Sequence, residues 1–63
     1  MNHINHLRVL EQEIQDTQDL IVLCKETLEY APYSEKGVIS VDLAALEHKL
    51  FNLELELKNL EHV

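Results

Sequence analysis

Two stretches of this chain carry their core-type side chains at alternating spacings of three and four. The first holds Leu7, Leu10, Ile14, Thr17, Ile21, Cys24 and Leu28, and the second Leu43, Leu46, Leu50, Leu53, Leu57 and Leu60. An alternation of three and four averages about 3.5 residues and gathers its members onto one narrow stripe of an α-helix, the signature of a helix–helix seam. The chain's only Pro and only Gly both fall between the stripes, in Ala31-Pro32-Tyr33-Ser34-Glu35-Lys36-Gly37. A single Gly and a single Pro cannot provide the turns of a many-stranded sheet, so the fold class is all-α. Pro32 disfavours helical geometry at Ala31, while Ser40 can cap a helix and Asp42 would then sit in its first turn. The pattern predicts helix over 3–30, a turn over 31–40 and helix over 41–62. Together these make one domain over 1–63, an antiparallel helical hairpin with a coiled-coil-like seam.

A turn centred near Glu35 pairs Leu28 with Leu43, Cys24 with Leu46, Ile21 with Leu50, Thr17 with Leu53, Ile14 with Leu57 and Leu10 with Leu60. Thr17 is the polar member of this seam, and its hydroxyl can bond back to a carbonyl one turn earlier. Cys24 reads as a core residue opposite Leu46 rather than a nucleophile. Tyr30 and Tyr33 are expected to cover the closed end of the core.

Apolar side chains remain after the seam is filled. Leu20 and Leu23 lie off the first stripe; Ala44, His48, Phe51 and Leu55 form a second stripe on the other helix. Exposed apolar clusters of this kind mark contact surfaces. A core within 63 residues contributes only about 3–5 kcal/mol, so oligomerisation is the expected supplement, and two hairpins packing as a four-helix bundle would use these six residues. The same stripe could instead fill a groove in a different protein.

Twelve acidic residues against five basic ones leave a formal charge of −7. That balance argues against direct binding to nucleic-acid phosphates or anionic membrane. In the expected register Lys25 faces Glu47, but Glu11 faces Glu61 and Glu13 faces Glu56, with Glu54 close by. These five glutamates read as an acidic face at the open end, solvated or turned toward a basic protein. His3, His6 and His62 also gather there and raise the question of a metal, but no second shell is evident and the expected set of metal ligands and cofactors is empty. No phosphate loop, supported nucleophile or concave site for paired carboxylates is present, so no enzymatic activity is expected. No apolar run approaches the roughly 18 residues of a membrane span and no signal-peptide pattern opens the chain, which points to the cytoplasm.

The two-helix outline resembles the small bacterial helical-hairpin regulators, among them the short phosphatases that act on sporulation response regulators, and secretion-system chaperones of similar length. The phosphatases' Ser-Gln-Glu-Leu-Asp motif has no counterpart here, where the candidate stretch reads Leu53-Glu54-Leu55-Glu56-Leu57. The leading expectation is a homodimeric, non-enzymatic regulator, inhibitor or chaperone-like adaptor that binds another protein. An acidic nucleic-acid mimic occupying a partner's basic site is the alternative, and a phosphatase-like regulator of a signalling protein is a second.

Overall fold

The computed structural model describes the backbone of residues 3–61 and the side chains of residues 5–61. Two α-helices, α1 (His3–Tyr30) and α2 (Tyr33–Glu61), pack antiparallel as a hairpin. A helix of 29 residues is about 43 Å long at a 1.5 Å rise. The Cα extents of 47 × 14 × 13 Å therefore require both helices to run side by side along their whole length.

The stripe is as expected. Every seam position on α1 from Leu7 to Leu28, and every one on α2 from Leu43 to Leu60, is buried or half-buried. Leu10, Thr17 and Ile21 are the most enclosed, and Thr17, only 1% exposed, donates its hydroxyl to the carbonyl of Glu13 at 2.7 Å. Among the described residues no buried side-chain N or O lacks a hydrogen-bond partner.

The turn is shorter than expected. α2 begins at Tyr33, so residues 33–40 are helical and Ser40 is an interior residue rather than a cap. Pro32 explains the early start. It bends the chain at Ala31, its missing N–H costs nothing at a helix entrance, and its carbonyl accepts from Glu35 N at 2.9 Å. Glu35 then stands in the first turn, where the helix dipole favours an acid. The seam extends backward with the helix, because Lys36 and Ile39 continue the alternation ahead of Leu43 and both are half-buried.

Shortening the turn moves the register. Cys24 Sγ lies 3.6 Å from the carbonyl of Ile39 and Lys36 Nζ donates to the carbonyl of Leu28 at 3.1 Å. The expected partners of these residues were Leu46 and Leu43, so α2 is displaced by about two helical turns relative to the expected pairing, or one heptad. Because both stripes repeat every heptad, the slide keeps the seam apolar while changing every pair in it. Cys24 is accordingly half-buried near a carbonyl instead of enclosed against Leu46. Tyr30 and Tyr33, 83% and 92% exposed, flank the tight turn in solvent and do not cover the core.

Lys36 has a second consequence for α1. That helix has no basic residue in its last turn, and the ammonium arriving from α2 supplies both a donor and a positive charge to its free carbonyls. Lys36→Met, which keeps most of the stem, should lower stability by about 0.5–1.5 kcal/mol in urea denaturation. Gly37 is helical without a positive φ, and a Cβ added there meets nothing within 4 Å. Gly37→Ala should therefore raise stability by about 0.5–1 kcal/mol, whereas a glycine needed for a turn would make the same change destabilising.

Candidate protein-interaction surface

One side-chain bond orients the edges of the hairpin. His6 Nε2 lies 3.3 Å from Glu56 Oε2, with both side chains about half exposed. Exposed pairs of this kind contribute little stability. This one shows which flank of α1 lies beside which flank of α2. At roughly 100° per residue, Glu13 and Leu20 continue that flank on α1, and Asp42 and Lys49 continue it on α2. Glu11, Glu54 and Glu61 fall on the opposite flank. The five exposed glutamates expected on a single acidic face are thus divided between the two edges. Glu56 faces His6 rather than Glu13, and neither a Lys25–Glu47 pair nor a Glu13 pair forms an ion pair among the described residues. The register shift removes the expected pairings, whereas the division of the glutamates follows from each residue's own angle on its helix, which a slide of one heptad leaves unchanged.

The six candidate interface residues are also divided. Leu20 and Leu23, both exposed, lie on α1 toward the His6–Glu56 edge. Ala44, His48, Phe51 and Leu55 are exposed on the far side of α2, roughly 150° round from the seam. These cannot line one continuous contact. Val41 extends the α2 stripe toward the turn and, like Phe51 at 61%, is more than half exposed. Its spacing of three before Ala44 is readable from the sequence, since the expected helix over 41–62 already includes it. On α1, Val9 and Val22 add isolated exposed apolar side chains.

Outside the seam, α1 is stitched to itself by Gln12 Nε2 to Asp16 Oδ1 and Gln15 Nε2 to Asp19 Oδ1, each 2.9 Å and each one turn apart. Thr27 likewise donates to the carbonyl of Leu23 at 2.9 Å. These bonds hold the polar back of α1 and leave no polar group converging on the apolar stripes. No pocket opens in the described structure, and no three His, Cys, Asp or Glu side chains among the described residues stand where they could share a metal. The open-end histidine set lies partly outside the described residues, since His62 and the side chain of His3 are not among them. Among the described residues no helix is long and apolar enough to cross a membrane.

Comparison with protein-family models, with curated proteins and with solved structures finds no match to this chain. Its surface carries water-facing carboxylates on two edges and two separate apolar patches on two sides.

The register is directly measurable. Spin labels replacing His6 and Glu56, in a Cys24→Ser background, should report a short separation. Labels replacing Glu13 and Glu56 should report a longer separation, since they are offset by about 10 Å along the helix axis, one heptad. The reverse order would restore the longer turn.

Proposed function

We propose that this chain is a small, acidic, non-enzymatic interaction module, a homodimeric regulator, inhibitor or adaptor that acts by binding another protein through its outward apolar side chains. The supporting observation is the exposure of Phe51, Leu55, Val41, Leu20 and Leu23 on a hairpin in whose described residues no pocket opens. A protein of this size does not keep so many large apolar groups in water without a macromolecular surface to cover them. Self-association into a four-helix assembly and capture of a different protein both belong to this reading.

The competing acidic-mimic reading depends on carboxylates that now lie on two edges of the hairpin. The two respond oppositely to salt. Binding through apolar stripes changes little between low and high ionic strength, while a nucleic-acid mimic loses affinity steeply for its basic partner. Affinity capture from the source cell, with wild type, Phe51→Asp and Leu23→Asp in parallel, tests the module. Each charge should remove a subset of the bound proteins, other copies of the chain included, without lowering helicity by circular dichroism. Identical captures from all three, insensitive to both substitutions, would overturn the reading.

A further inference from the structure

The outer face of α2 carries a second seam. Gly37, Val41, Ala44, His48, Phe51, Leu55 and Lys58 follow one another at spacings of four and three, all exposed and none bonded to α1 among the described residues. Nothing in the hairpin makes use of this order. When two such stripes are laid antiparallel with like heptad positions facing, as in the α1–α2 seam, and aligned so that the whole stripe overlaps, Val41 meets the other copy's Leu55, Ala44 meets its Phe51, and Gly37 meets its Lys58. His48 meets itself. Each small side chain thus falls opposite a large one, as close helix packing demands. The two ends of the stripe exchange roles under a two-fold axis, which is the condition for an isologous contact. A parallel copy would stack Phe51 on Phe51 and leave Ala44 against Ala44, a bulge beside a gap.

We propose that the occupant of this face is a second copy of the chain, antiparallel, with its two-fold axis beside His48. The inference rests on the interaction-module reading and names the partner for one of its two surfaces. It also accounts for Gly37, a residue that weakens its own helix and that no turn or positive φ requires: its missing side chain admits the stem of the other copy's Lys58. The flanks add only weak terms. Asn52 and Asn59 border one side of the stripe. On the other, Glu47 approaches its own copy, so added salt should favour the dimer slightly. Because the stripe lies nearly opposite the α1 seam, the assembly is a layer in the order α1, α2, α2, α1 rather than a closed bundle. One helix face against another is a small interface, with dissociation on the order of micromolar.

Exchanging a large and a small residue decides the matter. In sedimentation equilibrium from roughly 1 µM to 1 mM, wild type should form a dimer in the micromolar range. Phe51→Ala and Ala44→Phe should each weaken it by about tenfold or more, the first by leaving a gap and the second by setting two phenylalanines in one layer. The double variant Ala44→Phe with Phe51→Ala should return to within about threefold of wild type, because the exchanged side chains again face each other. All positions are exposed, so helicity by circular dichroism should stay constant. A double variant no better than the singles, a dimer strengthened by Ala44→Phe alone, or a dimer indifferent to both singles would overturn the antiparallel seam and leave the module reading standing on another face. A wild type that stays monomeric also overturns the seam; capture of a different protein that Phe51→Asp abolishes would then still support the module, and capture unaffected by it would remove both.

Discussion

The break at Ala31-Pro32 determines which side chains meet along the hairpin. Two helices joined by so short a connection have almost no freedom to slide: α1 ends two residues before Pro32 and α2 starts at the residue after it. Once α2 starts at Tyr33, Lys36 must lie beside the last turn of α1, Cys24 beside Ile39, and His6 beside Glu56. The register decides these pairings alone; the edge or patch that each carboxylate and apolar residue occupies is fixed by its phase on its own helix. A turn of nine residues would have produced the same stripe with every pairing changed.

A second constraint is geometric. Two parallel cylinders share one line of contact, so a two-helix hairpin can enclose only the middle of its seam. Leu10 and Ile21 are the apolar residues that become buried, and no residue of α2 does. The rest of the seam is half covered at best. This is the small-domain problem in its plainest form: surface grows relative to interior as the chain shortens, and neither a disulfide nor a second hydrophobic layer compensates within one copy. Thr17 is accommodated in the tightest layer because its hydroxyl is satisfied within its own helix and asks nothing of the neighbour.

The helices, the stripe and the role of Thr17 were legible in the sequence, because periodicity and local hydrogen bonding are local properties. The register was not, and the reason is specific. A heptad pattern is degenerate under a slide of seven residues, so matching six apolar layers in a row could not discriminate the expected pairing from the observed one. The deciding signals were polar or small. Lys36 continues the stripe with a charged head, a residue type that suits a loop, yet its stem packs and its ammonium caps α1. Gly37 near Pro32 suits a turn by residue type, but its backbone is helical and not left-handed. Ser40, a good cap in isolation, yielded to Ile39, whose place on the stripe rewards continuing the helix. The candidate surface residues are outward-facing as expected, but Leu20 and Leu23 lie toward one flank of α1 and Phe51 and Leu55 on the far side of α2, a separation set by each helix's own phase and not by the register.

The separation of the two apolar patches changes what a dimer would mean for this chain. If one face had held all six residues, self-association and capture of another protein would compete for the same side chains. With the α2 stripe turned away from the α1 seam, a copy seated on α2 leaves Leu20 and Leu23 uncovered on α1. In such an assembly the two α1 helices occupy the outer rims, each carrying the same patch, related by the two-fold axis. Two identical weak sites held at a fixed spacing bind a repeated or dimeric target far more tightly than either does alone, provided the target's own spacing allows both to engage. Dimerisation would then supply avidity in addition to covering apolar surface that one copy leaves exposed.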